Sequence, residues 1–295
     1  MQSLHPTTSA PPTALPFSQE RSVVGGIERV VVSPRVKRHK TPILFAHGMW
    51  HGAWCWRPWQ ELFALWGWES VAFSLPGHGE SPMQRPIRWC TLGYYTDFLV
   101  KEIERFEHKP VVVGHSLGTA LTQRYLKDHG DDLPAVVMLA PWLSRSMIGL
   151  VGRYFGIDLP GALATVLTLT AAPCVRSAQS AARIFLGRES TCTPEELHAG
   201  LCAESMLLPL QHNPPFWTPP KDVQSPMLWI SAEEDALIPE QASRESAQEF
   251  GAEYLVAPDA GHDLMMAPDH ALTAAFINDW LLQKLGEPMP QIAVA

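Results

Sequence analysis

The residue best set for covalent chemistry is Ser116. It stands at the centre of Gly114-His115-Ser116-Leu117-Gly118, directly after the apolar run Val111-Val112-Val113 and ahead of an amphipathic stretch. A serine that attacks a carbonyl must project from a tight turn, and flanking glycines remove side chains that would crowd it. It also needs a base to take its proton. His262, in Asp259-Ala260-Gly261-His262-Asp263, follows the last β-rich run and precedes the last helical one, so its loop can hang over the end of a sheet. An acid that orients the histidine is expected on a strand-ending loop between the two. Asp235 is the choice, four residues before Pro239, where a helix begins; Glu233 or Glu234 takes its place if the loop register differs. Asp259 and Asp263 are sequence neighbours of His262 and poorly placed to reach its Nδ1 from the side.

Acyl transfer also needs donors for the oxyanion. One is the amide of Leu117, after the nucleophile and at the start of a helix whose N-terminal N–H groups favour negative charge. The other is expected in His47-Gly48-Met49-Trp50, which ends the run Ile43 to Ala46, with Met49 as donor and Gly48 allowing close backbone approach. Gly48, Trp50, His115 and Trp142 are the candidate substrate-binding residues, with Trp50 at the pocket mouth. His47 and His51 are four apart, but in a loop and without nearby carboxylates, so no metal site is expected. No phosphate-binding or dinucleotide glycine pattern follows the first strand, and no cofactor is implied.

These residues need a sheet to carry them. Short β-rich runs alternate with helical patterns, which predicts a mostly parallel sheet with helices on both faces. Two strands are expected within Val23 to Val32, turned at Gly25-Gly26, and others at Ile43–Ala46, Val71–Ser74, Val111–Val113, Ala135–Ala140, Met227–Ile230 and Tyr254–Val256. That makes eight. Helices are expected from Pro58 with Trp59, Leu62, Phe63 and Trp66 on one face, and at the end with Leu272, Ala275, Phe276 and Trp280 inward. Between Pro141 and Pro226 the alternation fails, and so long a stretch is not expected to be structureless. It reads as a helical cap inserted at 143–220 between core segments 21–142 and 221–285, with a disordered arm at 1–20 and a flexible tail at 286–295.

With 46% hydrophobic and 18% charged residues, a large core is possible in 295 residues. A net charge of −8 without a Lys/Arg stripe argues against nucleic acid. Five scattered cysteines form neither a zinc pattern nor a disulfide framework. The first nineteen residues lack the basic and apolar regions of a signal peptide, so a cytoplasmic location is expected. Leu159 to Val175 is uncharged, but Pro160, Gly161 and Pro173 interrupt it, so a buried or lid helix is expected and no stable membrane insertion.

Residues 41 to 283 resemble the α/β-hydrolase superfamily, in its serine esterase and lipase-like branch. The matching segments are His47-Gly48, Pro76-Gly77-His78-Gly79-Glu80-Ser81, Gly114 to Gly118, Asp235 to Pro239 and Gly261-His262. The resemblance implies an eight-stranded α/β-hydrolase sheet with a helical cap after the sixth strand, catalytic roles for Ser116, Asp235 and His262, and an oxyanion role for Met49. The loop from His47 to Trp56 also resembles that of plant methylesterases and hydroxynitrile lyases. The lyases typically carry threonine for the loop glycine and lysine after the histidine, where this chain has Gly48 and Asp263. Haloalkane dehalogenases and epoxide hydrolases place an aspartate where Ser116 stands.

The expected activity is hydrolysis, through an acyl-enzyme, of a small apolar ester-like substrate with an acyl or aryl group. Thioester, lactone or C–C bond hydrolysis would use the same residues. A ligand-binding receptor, or a cofactor-free lyase or oxygenase on the same scaffold, is the competing class. In the cap, Met147, Ile148, Leu150, Leu163, Val166, Leu167, Leu169 and Ile184 either form an apolar pocket or dock the cap on the sheet.

Overall fold

A computed structural model describes residues 15–286. Eight strands form one sheet: β1 (Phe17–Val24), β2 (Ile27–Pro34), β3 (Ile43–Ala46), β4 (Ser70–Ser74), β5 (Val111–His115), β6 (Val136–Leu139), β7 (Met227–Ala232) and β8 (Glu253–Ala257). Their order is β1-β2-β4-β3-β5-β6-β7-β8. β1 and β2 make a hairpin over Gly25 and Gly26, both at positive φ, and β2 pairs antiparallel with β4. Every other pairing is parallel. The expected arm at 1–20 needs correcting, because β1 already begins at Phe17, where backbone pairing with Pro34 holds the chain. Residues 1–14 and 287–295, with most of the arm and tail, lie outside the described residues.

The central strands are apolar throughout. β3, β5 and β6 are buried at every position, as strands covered on both faces must be. Five core helices flank them: α1 (Arg57–Trp66), α2 (Leu92–Glu104), α3 (Leu117–Asp128), α9 (Glu240–Glu249) and α10 (His270–Leu285). α1 starts with Pro58 in its first turn and buries Trp59 and Phe63 as expected. α10 departs from expectation. Trp280 is buried as expected, but Leu272 and Phe276 are exposed, and the inner face also carries Ala274, Ile277, Asn278 and Leu281. This helix is apolar over much of its circumference, so periodicity alone does not select its buried face.

Between β6 and β7 the chain forms α4 (Ile148–Ile157), α5 (Leu159–Thr168), α6 (Ala178–Phe185), α7 (Pro194–Gly200) and α8 (Leu207–Gln211). Asp158 caps α5 at Gly161 N–H, and Thr193 and Glu196 form a capping box on α7. The uncharged stretch from Leu159 is not a buried helix. Leu159, Leu163, Val166 and Leu167 of α5 are exposed, while Met147 and Ile184 are buried. Among the described residues, no helix is long and apolar enough to cross a membrane.

Candidate active site

The candidate residues gather where the parallel strands end. Among the described residues six non-glycine positions have positive φ, and four of them follow strands: Trp50 after β3, Ser116 after β5, Ala140 after β6 and Asp259 after β8. Such conformations persist only where surrounding bonds over-determine them. Ser116, at φ 47° and ψ −112°, joins β5 to α3. Its N–H donates to Leu139 O at 2.9 Å, and its carbonyl accepts from Thr119 N–H at 3.0 Å. Gly118 lets α3 touch β3, since a Cβ there would lie 2.2 Å from Ala46 O.

Asp235 and His262 meet as the sequence suggests. Asp235 Oδ1 accepts the amides of Leu237 (2.8 Å) and Ile238 (2.9 Å), which aims Oδ2 at His262 Nδ1, 2.8 Å away. Nδ1 therefore carries a proton and Nε2 a lone pair while the ring is neutral. Nε2 is buried without a hydrogen-bond partner, and no hydrogen bond joins it to Ser116 Oγ. The two residues are linked through His115, which donates Nε2–H to His262 O at 3.0 Å and directly precedes Ser116. Burial disfavours charge on His262, yet the Asp235 carboxylate, with help from Asp263, raises its pKa above the imidazole value. Glu233 and Glu234 are engaged elsewhere, Glu233 by Asp259 N–H and Glu234 by Arg188.

Gly48 lies against the serine: a Cβ there would sit 2.7 Å from His115 Nδ1 and 3.1 Å from Ser116 Cβ. His47 donates Nδ1–H to Gly48 O (2.8 Å) and accepts Leu75 N–H at Nε2 (3.0 Å), a pattern only the neutral ring can make. Burial, and then His78 nearby, hold its pKa well below the usual value. In a trans peptide the N–H points opposite to the C=O, so His47 fixes the direction of the Met49 amide. Leu117, first residue of α3, presents an amide that no carbonyl of its own helix can reach.

Of the expected substrate-binding residues, only Trp50 lines the apolar cavity under the cap. That cavity, with about 550 Å³ of atom-free space including its mouth, runs between Met49, Trp50 and Leu237 of the core loops and Leu150, Tyr154 and Ile184 of the cap. Trp50 is not at the mouth but in the wall, 7% exposed, with its indole N–H on Ala171 O at 2.9 Å. Trp142 lies in the core against His212, and His115 is fully buried behind the serine. Neither lines this cavity.

Two buried pairs escape sequence reasoning. His51 Nε2 lies 2.9 Å from Asp263 Oδ2, and His78 Nε2 lies 2.9 Å from Glu204 Oε2. The first joins residues 212 apart and the second ties the core to the cap, so no local pattern announces them. The sequence signals are His51, His78 and Asp263 within or beside the motifs; Glu204, in the cap, has none. Among the described residues, no group of three or more His, Cys, Asp or Glu is arranged to hold a metal ion.

A profile of the alpha/beta hydrolase family matches residues 43–275. Over 99 residues the chain is 30% identical to the pFDCC methylesterase MES16 of Arabidopsis thaliana, a stretch that is 33% of this chain and 37% of that protein. The fold is similar to that of the Paleococcus ferrophilus monoacylglycerol lipase, with TM-score 0.65 and 21% identity over 88% of this chain and 99% of that one. It is also similar to a thermophilic esterase from Thermogutta terrifontis, with TM-score 0.60 and 16% identity over 90% and 99% of the two chains.

Proposed function

The chain belongs to the alpha/beta hydrolase family, and from that premise we propose that it is a serine esterase for carboxylic esters with an apolar acyl or aryl group. The observation that carries the reading is the Asp235–His262 pair, which leaves Nε2 as a buried, unpartnered base in the loop tied to the segment of Ser116. In this reading Nε2 takes the Ser116 proton as Oγ bonds to the ester carbonyl carbon. The amides of Met49 and Leu117 receive the oxyanion, and the protonated ring then gives its proton to the leaving alkoxide. Water, deprotonated by the same nitrogen, attacks the acyl-enzyme and frees Ser116. The apolar cavity beside Met49 and Trp50 suits a hydrocarbon acyl or aryl group better than a charged one. The partial similarity to a methylesterase agrees with an ester as the bond cleaved.

The test is hydrolysis of p-nitrophenyl esters from acetate to palmitate by wild type and Ser116→Ala. We expect kcat to fall by about 10³- to 10⁶-fold in the variant. A wild type inert at every chain length but retaining an apolar ligand would instead make the protein a receptor. Turnover that survives Ser116→Ala would exclude Ser116 as the acylated nucleophile and overturn the acyl-enzyme reading.

A further inference from the structure

One buried hydrogen-bonded chain touches a neighbour of each reactive group. His51 donates Nδ1–H to Met49 O at 2.7 Å, and its Nε2 lies 2.9 Å from Asp263 Oδ2. Asp263 directly follows His262, and its N–H donates to Phe185 O of α6 at 2.9 Å. His115 directly precedes Ser116; its Nε2–H bonds His262 O at 3.0 Å and lies 3.5 Å from Asp263 Oδ1. His51, His115 and Asp263 have no exposed side-chain surface.

The elementary chemistry of this chain is restrictive. A carbonyl oxygen only accepts, so Nδ1 of His51 must donate to Met49. Asp263 Oδ2 lies 2.9 Å from Nε2, on the far side of the ring. The ring is thus held at both nitrogens and cannot turn without losing both contacts. Trp50, next in chain, is held at φ 65°, a conformation a tryptophan adopts only under restraint. His47 fixes the peptide before Met49 and His51 the peptide after it, so both planes that flank the Met49 Cα are set by imidazole rings.

We propose that His51 and Asp263 are positioning residues for the oxyanion-binding loop, Asp263 holding the His51 ring against the Met49 carbonyl and tying that loop to the segment that carries His262. The inference rests on the esterase reading and deepens it. Asp263 touches no substrate; it acts through His51 and as a buried charge beside the base. The groups that face it are His51, His115 and His262, with the Cys55 thiol near by.

The experiment compares wild type, Asp263→Asn, His51→Leu, His51→Asn and the double variant Asp263→Asn/His51→Leu on the p-nitrophenyl ester the wild type prefers, each checked by thermal unfolding. Outright loss of an oxyanion donor lowers kcat by about 10²- to 10³-fold, and a loosened donor should lose somewhat less. We expect kcat to fall about 100-fold in His51→Leu and about 10-fold in Asp263→Asn, with KM within about 3-fold of wild type. His51→Asn, whose amide can replace the Nδ1 donor, should recover part of the loss. At a pH above the acid limb, where the effect of the Asp263 charge on His262 no longer counts, the double variant should lose no more kcat than His51→Leu alone, because the two residues form one chain. Asp263→Asn should also move the acid limb of kcat/KM to lower pH, which loss of packing alone would not do.

Folded variants with wild-type kcat, or losses that multiply in the double variant, would overturn the proposal. Should His51→Leu not fold, the nitrogen-15 spectrum of the wild-type histidines decides. A protonated Nδ1 on His51 supports the chain and an unprotonated one overturns it. A wild type without Ser116-dependent turnover would overturn the esterase reading, whereas the variants fail independently only in an active enzyme.

Discussion

At the scale of single residues the account turns on the protonation of His262. A general base works only when neutral, and Asp235 together with Asp263 stabilises the charged ring despite its burial. The folded pKa therefore lies above the imidazole value of 6.5, and kcat/KM should fall as pH drops through that higher value. A pH–rate profile in the preferred ester checks this; an acid limb at or below 6.5 would contradict the raised base. The residues behind this were largely legible in the sequence. Ser116 is marked by glycines that local backbone geometry demands, and Asp235 by the helix start that follows it. His51 and Asp263 were not legible as partners, since their contact depends on how loops after β3 and β8 meet over the sheet, which no periodicity encodes.

At the scale of elements, strands were read within two residues of their ends in the core, because buried parallel strands are short apolar runs bounded by turns. The β1–β2 hairpin extends further than expected, since its solvent-facing strand β1 carries few apolar residues. Helix faces were less legible where apolar residues surround the helix, as in α10 and α5. Ala162 of α5 is 1% exposed and lines that cavity. Ala162→Leu should shorten the chain-length optimum of the ester series while short esters are still cleaved at close to wild-type rates. An unchanged optimum would place the acyl group elsewhere. Leu150 and Val166 line the cavity, whereas Leu167, 85% exposed, does not.

At the scale of the whole molecule, burial of polar groups sets the response to acid. His212 is stacked on Trp217 and donates Nε2–H to Leu143 O at 2.8 Å, and burial pushes its pKa down to about 4. His115 is pushed down to about 3 by burial, against the attraction of Asp263. A histidine with a depressed folded pKa stays neutral in the native state while the unfolded chain takes up a proton near 6.5. Stability from each such group is present above that pH and is lost as pH falls below it, because the unfolded state then binds more protons. His78 and His262, whose values are raised, act in the opposite sense. Replacement His212→Gln keeps a donor for Leu143 and removes the titration. The fall in Tm from pH 6.5 to 4 should then be shallower than in wild type, and an equal or steeper fall would show that neutral burial of His212 does not shape acid stability.

The central claim is that Ser116 is the nucleophile and His262, held by Asp235, its base. The most direct measurement is reaction with a p-nitrophenyl alkylphosphonate, followed by intact mass and peptide mapping, in wild type, Ser116→Ala and His262→Gln. The account predicts one added phosphonyl group on the peptide carrying Ser116, no addition in Ser116→Ala, and labelling slowed by about 10³-fold or more in His262→Gln. A label on any other residue, or labelling as fast without His262, would contradict it.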